Sequence, residues 1–153
     1  MTTQIRNIGA LIAVLGAAAN TAATAGGSGD NTEVTGVILD RAAHGFPQSC
    51  VLAIPYSATL AAGATLSISY TLQEGDADDL ADAETLAAAA SAVVATGPVG
   101  GGTVTGTFEV DLSLAGAGRY VRAKFTPDLS AANTDTAALS AVIVFGGSDR
   151  LPQ

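Results

Sequence analysis

Leu66-Ser67-Ile68-Ser69-Tyr70-Thr71-Leu72-Gln73 alternates apolar with polar side chains without a break. Successive residues of a strand point to opposite faces, so this run sets Leu66, Ile68, Tyr70 and Leu72 against a core and their neighbours toward water. Further along, Phe108, Val110 and Leu112 alternate with Thr107, Glu109 and Asp111 within Val104 to Leu112. Val121, Ala123 and Phe125 alternate with Arg122 and Lys124 in the same way. Upstream, Val34 to Asp40 reads as a strand and Arg41 to Pro47 as a loop; Ser49 to Tyr56 is a short apolar run stopped by Pro55, as in a core strand. Ala138 to Phe145 is apolar on both faces, the pattern of a central strand or of one covered by a partner.

Turn-forming stretches separate these runs: Ala61-Ala62-Gly63, Gly97 to Gly102, Ala115 to Gly118 and Pro127 to Thr136. No long amphipathic helix lies between the strands, as βαβ units would require. The pattern predicts an all-β chain, a single β-sandwich or jelly-roll-like domain. Asp76 to Ala90 (DADDLADAETLAAAA) is the exception, acidic at its start and Ala/Leu-rich afterwards. It predicts a short helix over about 77–90, because acidic residues suit a helix N-terminus and Ala is the best helix former. A long excursion with a single helical turn is the alternative.

The N-terminal segment Ile8 to Ala19 (IGALIAVLGAAA) follows Arg6 and has the outline of a secretory signal. Its positive region is one Arg, and its apolar run falls short of the roughly 20 residues that span a bilayer. It reads instead as an ordered extended arm, packed on this domain or on a neighbour. Ala22 to Asn31 (AATAGGSGDN) reads as a flexible linker. The expected organisation is an arm and linker over 1–31 and a sandwich domain over 32–153.

A chain of 153 residues is long enough for one hydrophobic core. With 48% hydrophobic and 13% charged residues it is too apolar for disorder, yet Ala and Val dominate and Trp is absent, so the core is thin. A surface of Ala, Thr, Ser and Gly suits burial against neighbours. The net charge of −8, with six basic residues, argues against direct binding to nucleic acid or to an anionic membrane face, since both need Lys and Arg to meet phosphates. A basic protein surface fits as a partner.

The residues that could carry chemistry are few. Cys50 stands alone in Ser49 to Ile54, where a buried thiol behaves as a small hydrophobe. Asp76, Asp78, Asp79, Asp82 and Glu84 lack the spacing of a calcium loop. His44 has no Gly-x-Ser-x-Gly elbow to serve, and Gly97 to Gly102 has no Lys-Ser/Thr after it to hold phosphate. No catalytic, cofactor or metal site is therefore expected. Arg122 and Lys124 share a face, with Arg119 close by, and could meet carboxylates of a neighbouring strand or subunit, or simply be solvated. The expected contact residues are Ile8, Leu11, Ile12, Val14 and Leu15 of the arm, Arg119, Arg122 and Lys124, and Val142 and Val144 of the last strand.

Four phrases in order, Ile54 to Leu66 (IPYSATLAAGATL), Gly118 to Arg122 (GRYVR), Thr126 to Ser130 (TPDLS) and Ala138 to Gly147 (ALSAVIVFGG), resemble capsid cement, or decoration, proteins of tailed bacteriophages. The likeness covers roughly residues 34–150 and rests on structural phrases rather than a chemical motif. It implies a jelly-roll or related β-fold without a cofactor, made in the host cytoplasm and bound outside the expanded shell. It also implies contact with adjacent major capsid protein subunits and self-association, as a homotrimer or alternatively a homodimer. Rival readings are another β-rich phage protein of the tail tube or head completion, and a surface glycan- or receptor-binding sandwich.

Overall fold

The computed structural model describes residues 8–130 and 134–148, so the first seven residues of the expected arm and part of the Pro127 to Thr136 turn lie outside the described residues. Nine strands carry the fold: β1 (Ala13–Thr24), β2 (Val34–Thr35), β3 (Leu39–Asp40), β4 (Pro47–Leu60), β5 (Thr65–Gly75), β6 (Glu84–Thr96), β7 (Gly102–Ser113), β8 (Tyr120–Leu129) and β9 (Thr136–Ser148). They form two antiparallel sheets. Sheet A has the order β1-β9-β4-β7, and sheet B the order β2-β8-β5-β6, with β3 also paired to β8. With β2 and β3 counted as one interrupted strand, each sheet has four strands, and the chain crosses from one sheet to the other at every connection except β5 to β6. That is the strand order of an eight-stranded jelly roll.

The alternation in β5 sets the core. Leu66, Ile68 and Leu72 are fully buried, and opposite them sheet A contributes Leu52, Ile54, Leu139, Ile143 and Phe145. β8 alternates in step with Val121, Ala123 and Phe125 inward, so sheet B's inner face is continuous across its register Tyr70–Phe125 and Leu72–Ala123. β9 lies between β1 and β4, which accounts for its apolar character on both sides only in part. Its inner residues fill the core, while Val142 and Val144 point outward.

The expected arm lies within this fold. Ala13–Thr24 is an edge strand of sheet A, in register with β9 from Ala13–Phe145 to Thr24–Thr136. Its own outer edge is closed by the chain leaving β2, where Val37 donates to the Ala17 carbonyl at 2.8 Å and Gly36 to the Ala123 carbonyl at 2.9 Å. Only glycine fits there, since a Cβ at Gly36 would stand 2.5 Å from both the Ala17 and the Ala123 oxygens.

The helix expected over about 77–90 is corrected: the acidic part is a loop and the Ala-rich part is strand β6. Asp82 accepts from the backbone N–H groups of Asp76 at 2.8 Å and Ala77 at 3.1 Å, and Asp79 from that of Ala81 at 2.9 Å. Short carboxylates that bond nearby backbone compete with the helix in this way. Leu80 is buried at φ 55, a left-handed conformation no right-handed helix contains. Beyond it, Glu84–Thr96 satisfies the open edge of β5, and that long-range pairing overrides the helix preference of its alanines.

Candidate interaction surface

Sheet A presents an apolar patch to the outside. Because side chains alternate, the residues between the core positions of β4 and β9 face outward: Val51 and Ala53 on β4, Val142 and Val144 on β9. The register aligns them into rows. Val14, Val144, Val51 and Asp111 lie side by side across β1, β9, β4 and β7, and Gly16, Val142, Ala53 and Glu109 form the next row. Val14 is 62% exposed, and Val51, Val142 and Val144 are half-buried by one another. Beside these rows Ile12, Ser49, Val51, Asp111, Val144 and Gly146 line an open depression of about 420 Å³.

Of the residues expected to make contacts, Ile12, Val14, Val142 and Val144 thus gather on one face. Leu15 pairs with the buried Ile143 and packs against the core from the opposite side of β1. Ile8 is exposed in a short 3-10 turn, Ile8–Ala10, and Leu11 follows it, half-buried. Val51 and Ala53 complete the patch without having been singled out in the sequence. The signal was there: Ser49 to Ile54 is apolar at consecutive positions, and a strand apolar on both faces has a second face to cover.

The basic residues serve the chain itself. Arg119 makes a two-point pair with Asp40 (Nε–Oδ1 3.0 Å, Nη2–Oδ2 2.8 Å) and lies over the Tyr120 ring at 5.0 Å. The Arg119 guanidinium holds the Asp40 carboxyl below its ordinary value, and Asp40 in turn raises Arg119. Arg122 donates to Gln73 Oε1 from Nε at 3.1 Å and Nη2 at 2.8 Å. Lys124 pairs with Glu33 at 2.7 Å on the neighbouring side of sheet B. Arg122 and Lys124 do share the outer face of that sheet, and their partners come from adjacent strands and loops.

Arg41, which no sequence pattern singles out, is 2% exposed. It sits in the 3-10 turn Arg41–His44, capped by Asp40. Its guanidinium donates to the carbonyls of Ala117, Gly118 (2.7 Å), Pro47 (2.8 Å) and Leu114 (3.0 Å), tying the β7–β8 turn to the start of β4. Cys50 is buried, and burial pushes its thiol up to about 11, which suits a packing residue rather than a nucleophile. His44 packs near Phe145, with ring centroids 5.8 Å apart. Among the described residues no group of three His, Cys, Asp or Glu side chains is placed to hold a metal ion. No helix of the described residues is long and apolar enough to cross a membrane.

A second depression, of about 300 Å³, lies on sheet B over Ser69, Thr71, Lys124, Thr126 and Ala88 to Ala90. The tyrosines do not present a free ring to it. Tyr70 packs near Phe108 at 6.2 Å, Tyr120 lies under Arg119, and Tyr56 donates to the Val94 carbonyl at 2.7 Å.

The fold and this surface define a jelly-roll domain with one apolar outer face. No family model matches the chain. No curated protein matches it either. Among solved structures it is similar to a chain of infectious bursal disease virus, Gx strain, at 11% identity and a TM-score of 0.46, over 92% of this chain and 34% of that one. A chain of T=1 particles derived from infectious bursal virus is similar at 12% identity and a TM-score of 0.47, over 92% of this chain and 32% of that one. The chain therefore spans about a third of the length of the solved chains it matches.

Proposed function

We propose that this chain is a structural protein of a virion, a cement protein on the outer surface of a phage head that bridges adjacent major capsid subunits. The observation that carries this reading is the outward valine patch of sheet A, formed by Val14, Val51, Val142 and Val144. A patch of this kind is matched by burial against another protein. Its burial stabilises a contact in proportion to the area covered, at roughly 25 cal/mol per Å². Modest contacts repeated over a shell reinforce one another when each protomer holds more than one subunit. The sequence resemblance to decoration proteins supports the same reading and favours a homotrimer, with a homodimer as the alternative. The jelly roll is shared by viral capsid and lectin domains, so the fold itself does not separate this role from glycan binding.

The test is co-sedimentation of purified protein with phage heads that lack it. Saturable binding at a fixed ratio to the major capsid protein, with heads made more resistant to heat, is the expected result. Val142→Thr with Val144→Thr should lower occupancy at least threefold, and because Thr keeps the β-branched shape that strands favour, the melting temperature should fall by only a few degrees. A protein that sediments free of heads at all concentrations contradicts the proposal.

A further inference from the structure

The valine patch is bounded on one side only by charge. Glu109 and Asp111 of β7 end its two rows, next to Ala53 and Val51, and both point outward and are exposed. Two residues apart on one strand, their carboxylates stand about 7 Å from each other, on the same margin. No hydrogen bond or ion pair within the chain engages either carboxylate among the described residues. Each described Arg and Lys has a partner elsewhere in the chain, Arg41 in buried carbonyls, Arg119 in Asp40, Arg122 in the neutral amide of Gln73 and Lys124 in Glu33, and none lies on the outer face of sheet A. The opposite margin, at β1, carries Val14 and Gly16 and no charge.

We infer that the outer face of sheet A docks a different protein, whose surface is aliphatic at its centre and carries Lys or Arg along the one margin that meets Glu109 and Asp111. The inference rests on the reading of this face as a contact surface and adds the chemistry and orientation of the partner. Charge complementarity selects the occupant. A second copy docked through the same face meets that margin with no cation among the described residues, and it would bring a chain of net charge −8 against another of the same sign. A basic margin on the partner relieves both acids at once and fixes which way round it sits, because the β1 side offers nothing for a cation. Rim charges of this kind act mainly on association rate and salt dependence, with the valines supplying the area.

The experiment is a titration of the ¹⁵N-labelled protein with two blocked hexapeptides, one alternating Val and Lys, the other alternating Val and Glu. The Val/Lys peptide should move the amide resonances of Val51, Ala53, Glu109, Asp111, Val142 and Val144, more weakly as salt rises, and the Val/Glu peptide should not. E109Q with D111N should weaken the Val/Lys response at least threefold and flatten its salt dependence. An equal response to both peptides overturns the inference, as does a response centred on sheet B. Shifts on the sheet A face that grow with protein concentration alone also overturn it, and assign the face to a second copy. A positive peptide result with no binding to phage heads supports the docking chemistry and removes the cement reading. Head binding unaffected by E109Q with D111N does the reverse.

Discussion

Arg41 shows how one side chain can hold two loops without being part of any expected site. A guanidinium offers donors in a fixed fork, and here they reach the carbonyls of Ala117 and Gly118 on one side and of Pro47 and Leu114 on the other. A lysine ammonium is a point donor and cannot span both pairs. Arg41→Lys should therefore cost about 3 kcal/mol, the range for breaking a buried charged network. Urea unfolding measures it, and an unchanged midpoint would contradict this account of the loop. Asp40 and Asp82 each make a small contribution to stability that acid removes. The Arg119 bond on Asp40, and the backbone N–H bonds from Asp76 and Ala77 on Asp82, hold both carboxyls below the ordinary 3.8. A group depressed on folding adds stability above its unfolded pKa, and that stability is lost as pH falls through the folded value. The melting-temperature advantage of wild type over Asp40→Asn should thus be constant from pH 7 to about 4 and shrink below it. Comparing the two proteins cancels the general relief of repulsion as the net charge falls.

At the scale of elements, the strands whose alternation was plain in the sequence are those with one face in the core and one in water. β5, β7 and β8 have that pattern, and the two-faced β9 sits inside its sheet. The expected helix failed because local preference was weighed without a partner. Nothing in an Ala-rich run announces that β5 has an open edge to fill, and the loop carboxylates that prevent the helix act through backbone bonds invisible in composition. β6 then carries register shifts at three places against β5, and bulges of this kind blunt an edge that lacks charged residues from Thr85 to Thr96. One bulge carbonyl, that of Val94, is met by the Tyr56 hydroxyl from sheet A. The ring passes over Gly106, where a Cβ would stand 2.8 Å from Cζ. Tyr56→Phe removes that link between sheets at the β6–β7 side and should cost about 1 kcal/mol, seen as a lower denaturant midpoint. A midpoint equal to wild type would mean the link contributes nothing.

For the whole molecule, the candidate surface was half legible. Val142 and Val144 stand out because β9 is apolar at positions that a one-sided strand would make polar. The contribution of Val51 and Ala53, and the alignment of Glu109 and Asp111 beside them, required the register, which no single-strand pattern contains. The basic cluster was legible as a cluster but not as one in which Asp40 and Glu33 pair with Arg119 and Lys124 and Gln73 accepts from Arg122, since those partners are far away along the chain. What emerges is a sandwich with two unlike outer faces: sheet B carries the Arg122 and Lys124 pairings beside the small residues of β6, and sheet A carries a valine patch with an acidic margin. Sheet A should be the side that faces the partner. A reconstruction of the virion at side-chain resolution tests it most directly. Val51, Val142 and Val144 should be buried against a neighbouring capsid subunit, with a Lys or Arg of that subunit beside Glu109 or Asp111. A chain bound through sheet B with these valines in solvent, or a shell without the chain, would contradict it.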